Sequence, residues 1–142
     1  MKLMHGRQIS THALVLLAVA GSVVALTTLP SSVIIISLLK NISLISGHPN
    51  ANDALGHASL YGTLTAVIYW ALRGRIGFTR AFWIALLVAM GTGLTTELLQ
   101  HFSPGRSVQL SDLLGNWLGA MTVIALIGYG HSRANQRLQQ TI

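Results

Sequence analysis

Four apolar stretches, close to residues 11–29, 53–72, 81–100 and 111–130, take up most of this chain, and each is near the length that crosses a bilayer core. In hydrocarbon no water satisfies a free backbone N–H or C=O, so runs of this length fold as helices that close their own hydrogen bonds. Composition agrees: 51% of residues are hydrophobic, 8% are charged, and the mean hydropathy is +0.59. The expectation is an all-α integral membrane bundle of four transmembrane helices in a single domain spanning residues 1–142. There is no room for a second, water-soluble domain.

Against that background the three carboxylates stand out: Asp53, Glu97 and Asp112 are the only acids, and each lies at an end of an apolar run. An ionisable group at the edge of a lipid-embedded helix is costly, so acids kept there and nowhere else suggest a built site. The net charge of +6 raises nucleic acid as a partner, but the basic residues sit singly or in small groups at the ends of the apolar runs. That placement orients a membrane protein and does not form a nucleic-acid footprint. Without cysteine there is no disulfide, thiolate nucleophile or cysteine-based metal site.

The first run follows Lys2 and Arg7 and has no clear small-x-small cleavage site after it, so it reads as a retained span rather than a signal peptide. Pro30 ends it. Val33 to Leu39 is apolar but too short to span before Lys40 and Asn41, and reads as an interfacial or partly re-entrant segment leading to the turn-rich Gly47-His48-Pro49-Asn50. The second span starts with Asn52 or Asp53 as its cap and ends at Arg73, Arg75 and Arg80, with Tyr69 and Trp70 at the interface. The third opens on Phe82 and Trp83 and carries Gly91 and Gly93, small enough for a close neighbour. The fourth begins with Ser111 as its cap, has Gly115 and Gly119 at small-xxx-small spacing, and fades near Tyr129.

Placing the amino terminus in the cytoplasm puts Lys2, Arg7, Arg73, Arg75, Arg80, Arg133 and Arg137 inside, and only Lys40 and Arg106 outside. Both termini are then cytoplasmic in a multi-pass protein of the cell membrane, and the three acids share the outer side with Arg106.

Helical spacing joins these acids to other polar groups. Asp53, His57 and Tyr61 follow one another at four-residue steps, which rotate only about 40° each, so they share a face that descends roughly 12 Å into the membrane. Glu97 and Gln100 face together, as do Asp112 and Asn116. Hydrogen bonding between helices accounts for any one of these residues. It accounts less well for two acids, a histidine and an arginine on one side, with a glutamate at a helix C-terminus where the dipole disfavours it. His57, Asp53, Glu97 and Asp112 are the candidate catalytic groups, and Arg106, Tyr61, Gln100 and Asn116 the candidate substrate-binding groups. His48 and His101 are loop histidines within possible reach, whereas His5, His12 and His131 have no polar company in the sequence. No spacing assigns a metal, although two or three acids holding a divalent ion is an alternative, and no glycine-rich phosphate loop or nucleophile elbow identifies a cofactor or reaction.

The pattern Asp53-x3-His57-x3-Tyr61, Glu97-x2-Gln100-x-Phe102-x-Pro104-Gly105-Arg106, Ser111-Asp112-x3-Asn116-x2-Gly119-Ala120 resembles the VanZ-like family of small membrane proteins. The chain departs from it at Ala54 and Gly56, where many relatives carry a lysine. The resemblance covers most of residues 53–120 and implies a membrane topology with a shared polar site, by analogy with enzymes of envelope lipids and with a member associated with teicoplanin resistance. Three readings follow: an enzyme acting on a phosphate-containing envelope lipid or lipid-linked cell-wall intermediate, with Arg106 on the phosphate and His57 as base or nucleophile; a non-catalytic binder of such a lipid or of an amphiphilic antibiotic; and a small transporter. Membrane lipids are the expected partners, with nucleic acid excluded and a homo-oligomer allowed.

Overall fold

A computed structural model describes residues 11–29, 49–105 and 107–140. All its elements are helices: α1 (Thr11–Thr28), α2 (Pro49–Ile76), α3 (Phe78–Gln100) and α4 (Leu110–Gln140). The expected interfacial segment between the first two, and Arg106, lie outside the described residues.

Three helices, α1, α3 and α4, are long and apolar enough to cross a membrane. The second has ample length, 28 residues or about 42 Å at 1.5 Å per residue, but its composition is diluted by the polar ladder it carries. It is the central helix, packed most extensively on α4, then on α3 and α1. Its buried face, Tyr61, Leu64, Thr65, Ile68 and Ala71, has the three- and four-residue spacing of one helix side. Leu17, Leu87, Leu98, Leu118 and Leu126 point outward instead. That distribution suits a surface facing lipid, because tails are as apolar as leucine and burying leucine against another helix gains little.

Small residues therefore carry the contacts. In α3, Ala81, Ala85, Ala89 and Gly93 recur every four residues and are all buried. In α4, Gly115 and Gly119 lie directly on the α2 backbone: a Cβ at Gly115 would stand 2.5 Å from the Ala54 carbonyl oxygen, and one at Gly119 would run into the carbonyl of Ala58. Both glycines thus do what their spacing predicts. Gly93 also matches expectation, since its bare backbone admits Asn116, but a Cβ at Gly91 would meet nothing within 4 Å among the described residues.

Several boundaries differ from the sequence reading. The second helix starts at Pro49, four residues before Asp53, so neither Asn52 nor Asp53 caps it. Ser111 does not cap the fourth either: Gln109 precedes its first turn and accepts the Leu113 N–H, while Ser111 Oγ donates to Asp112 Oδ1 at 3.2 Å. The basic segment 73–80, which lies between the second and third apolar stretches, is helical except for Gly77, whose φ of 78° turns the chain between α2 and α3 in one residue. Helix α4 runs on to Gln140 rather than fading near Tyr129, as its tail of Arg, Gln, Ala and Leu favours helix even beyond the apolar stretch.

At the Gly77 end the aromatic rings gather: His12 stacks on Trp70 at 4.1 Å and Phe78 on His131 at 3.7 Å. His131 also lies 3.3 Å from the Asn135 amide, so it has polar company after all. Arg73, Arg75 and Arg80 flank this corner, and Arg133 and Arg137 follow His131, so one end of the bundle is basic and the other holds the acids.

Replacing Gly119 by alanine is expected to destabilise the protein by about 1–3 kcal/mol, because the clash is with backbone that cannot yield. The same change at Gly91 is expected to be neutral or slightly stabilising. Thermal unfolding of the two variants in detergent checks this contrast.

Candidate functional site

Antiparallel packing brings the C-terminus of α3 and the N-terminus of α4 beside the second and third turns of α2. Glu97 in the last turn of α3, Asp112 in the first turn of α4 and His57 on α2 meet there, with relative exposures of 1%, 4% and 7%. The imidazole lies between the acids: His57 Nδ1 is 3.8 Å from Glu97 Oε1, and His57 Nε2 is 3.6 Å from Asp112 Oδ2. One ligand-type atom from each of the three lies within 4.8 Å of the other two.

Asn116 sets the ring. Its amide nitrogen is turned toward the Gly93 carbonyl at 3.4 Å, so its oxygen faces His57 Nδ1 at 2.8 Å. An amide oxygen only accepts, so Nδ1 carries the hydrogen and donates it. The approach exists because Gly93 has no side chain: a Cβ there would stand 3.0 Å from that of Asn116.

Glu97 is held from two directions. Gln100 Nε2 reaches Oε1 at 3.5 Å, and the backbone N–H of Gln109 reaches Oε2 at 3.5 Å, so the connection between α3 and α4 folds back over the carboxylate. The Gln100 amide also donates to the Thr27 carbonyl at 2.8 Å, and Ser103 Oγ donates to the Thr28 carbonyl at 2.7 Å. These are terminal carbonyls of α1 that lack a partner within their own helix. Gln100 and Ser103 thereby tie the end of α1 to the roof of the site.

Tyr61 lies one turn further along α2 and is fully buried. Its hydroxyl bonds the Thr96 hydroxyl, which itself donates to the Gly93 carbonyl at 3.1 Å, so Tyr61 is the donor of the pair. The internal partner that its depth demands is thus Thr96. Among the described residues, every buried side-chain nitrogen and oxygen has a hydrogen-bond partner.

Of the candidates chosen from sequence, the structure gathers His57, Glu97, Asp112, Asn116 and Gln100, and sets Tyr61 just beneath. Asp53 is half-buried one turn before His57 and does not belong to the His57–Glu97–Asp112 group. His101 is exposed and set edge-on to Phe102, with ring centroids 5.3 Å apart; Arg106 and His48 lie outside the described residues. Thr96, Gln109, Gly93, Thr27 and Ser103 were not singled out for the site. Only Gly93 and Thr96 left a trace in the sequence, as small residues on the Glu97 face of α3.

A family model described as VanZ/LLP1 matches residues 10–129. The chain belongs to the VanZ/LLP1 family. That match takes in all four helices up to Tyr129 and every residue of the buried cluster, and it agrees with the resemblance carried by the Asp53–Tyr61, Glu97–Arg106 and Ser111–Ala120 motifs. No curated protein and no solved structure matches the chain. Within this VanZ/LLP1 chain the cluster can hold or move a proton at His57 Nε2, and can offer one nitrogen and two carboxylates to a cation.

Gln100→Leu retains volume but strips the Thr27 carbonyl and Glu97 of their amide. A loss of about 1–3 kcal/mol is expected from the groups left unpaired, read as a lowered unfolding temperature in detergent.

Proposed function

We propose that this VanZ/LLP1 protein acts on a phosphate-containing envelope lipid or lipid-linked cell-wall intermediate, at a site near the outer face of the membrane. The observation that carries the reading is the buried imidazole between Glu97 and Asp112, with its tautomer fixed by Asn116. Packing between helices needs hydrogen bonds, but it does not need two acids around one histidine, a set that is costly to bury and suited to moving protons.

In this account α2 is the fourth span, screened from lipid by its three neighbours. The basic end of the bundle faces the cytoplasm, which leaves the acids on the outer side, where phospholipid and polyprenyl phosphates are available. Arg106, in the connection that follows α3, binds the phosphate bidentately. His57 takes the proton from an attacking water or alcohol through Nε2, and Asp112 stabilises the imidazolium that results. Glu97 is the second acid–base group: starting as the carboxylic acid, it gives its proton to the alkoxide released as the new P–O bond forms and the old one breaks. Gln100 and Asn116, first chosen as substrate contacts, act instead as positioning residues. By analogy within the family, the same site is the place to seek a link to teicoplanin resistance.

The reading predicts that membranes carrying His57→Ala turn over labelled phospholipid and polyprenyl-phosphate substrates at least about 100-fold more slowly, the usual contribution of a general acid–base group. Unchanged turnover would sink it. A binder that only sequesters the lipid would instead keep its phenotype in His57→Gln, which retains a hydrogen-bonding side chain, and lose it on charge reversal at Arg106.

A further inference from the structure

Charge is placed unevenly along the bundle. All three acidic side chains lie toward the end that holds His57, whereas Arg73, Arg75, Arg80, Arg133 and Arg137 gather at the Gly77 corner. The two ends stand about 28 Å apart, measured along α3 from Glu97 to Phe78 at 1.5 Å per residue.

Aromatic rings mark the depth of the basic corner. Phe78, the first residue of α3, stacks on His131 at 3.7 Å, so the start of one span sets the level of His131 on α4. Trp70 and Trp83 are exposed close by, as side chains at the edge of the hydrocarbon are. Helix α4 continues past that level to Gln140, which puts the backbone of Arg133 and Arg137 about 3 and 9 Å beyond it. Helical side chains lean toward the N-terminus of their helix, here back toward the membrane. Both guanidinium groups therefore come to the head-group layer, which is about 5–8 Å thick on each side.

One face of α4 is shaped to use them. An open groove there is lined by Gly130, Arg133, Ala134, Arg137 and Leu138, and the outward-pointing Leu126 continues the same face into the membrane. Arg133 is held in place: its Nε donates to the Tyr129 hydroxyl at 2.8 Å, and its guanidinium carbon lies 5.1 Å from the centre of the Tyr129 ring. The two terminal nitrogens remain for an outside acceptor, in the fork that fits two oxygens of a phosphate. Gly130 leaves the helix surface bare beneath them, since a Cβ there would meet nothing within 4 Å among the described residues.

We propose that Arg133 and Arg137 bind the phosphate of an anionic phospholipid, with its glycerol over Gly130 and its acyl chains along Leu126. The depth of the groove selects a lipid over dissolved phosphate, and the cluster of positive charge selects an anionic head group over a zwitterionic one. This lipid is a bound partner at the end of the bundle away from His57, so the site stands or falls independently of the chemistry proposed there.

The full chain, purified in detergent and freed of lipid, is titrated at 0.15 M salt with phosphatidylglycerol or phosphatidylcholine in mixed micelles, and bound lipid is counted by native mass spectrometry. Phosphatidylglycerol is expected to bind at least about tenfold more tightly, and the double variant Arg133→Gln, Arg137→Gln to lose at least about tenfold of that affinity, the usual loss for charge-assisted hydrogen bonds. The double variant Arg73→Gln, Arg75→Gln removes the same charge from the same end and should cost less than about threefold, because distant charge is screened at this salt. Equal losses in the two double variants mean diffuse attraction alone and overturn the site. So does equal binding of the two lipids by the wild type, a comparison that needs no variant. Displacement of the lipid by millimolar inorganic phosphate would assign the groove to a dissolved anion and overturn the lipid assignment.

Discussion

The contact on which the rest depends is the seating of Gly115 and Gly119 on the backbone of Ala54 and Ala58. Where apolar burial gives little attraction between helices, close backbone approach is the main source of contact, and only glycine permits it at this separation. The same approach that joins α2 to α4 sets His57 level with Asp112 and Asn116, because His57 adjoins Ala58 on α2, while Asn116 adjoins Gly115 on α4 and Asp112 lies about one turn before it. Function and packing share one interface. A side chain at Gly119 would therefore disturb both the bundle and the geometry around the imidazole.

Polar groups enclosed by such an interface must satisfy one another. The result is a connected set in which Gly93 accepts from both Thr96 and Asn116, Tyr61 donates to Thr96, Asn116 accepts from His57, and Gln100 bridges Glu97 to the end of α1. In a low-dielectric setting each of these bonds is costly to break, which makes the cluster rigid. Rigidity of this kind holds a reactive or ligating side chain in one tautomer and one orientation.

Much of this was legible in the sequence because helical periodicity is simple. The apolar runs gave the helices, and the four-residue steps from His57 to Tyr61 and from Asp112 to Asn116 placed those pairs correctly on shared faces. The glycines at 115 and 119 were likewise readable from their spacing. What periodicity could not supply was the relation between helices. Asp53 shares a face with His57 yet stays out of the cluster, because Glu97 and Asp112 come in from other helices at the level of His57 rather than one turn earlier. The roles of Thr27 and Ser103 depend on where α1 ends against α3, which no local pattern encodes. The corner at Gly77 is not marked by hydropathy, because the apolar stretches stop at the arginines around it, although arginine is a good helix former and both helices run on to Gly77.

Everything proposed for the site depends on the His57 ring being fixed by Asn116 and directed at Asp112. Nitrogen-15 NMR of the labelled imidazole in bilayers measures this most directly. The structure predicts a ring protonated at Nδ1, in dipolar contact with the Asn116 side chain, and a change of tautomer or ring mobility in Asn116→Leu. A neutral ring protonated at Nε2, or one with no contact to Asn116, would contradict it.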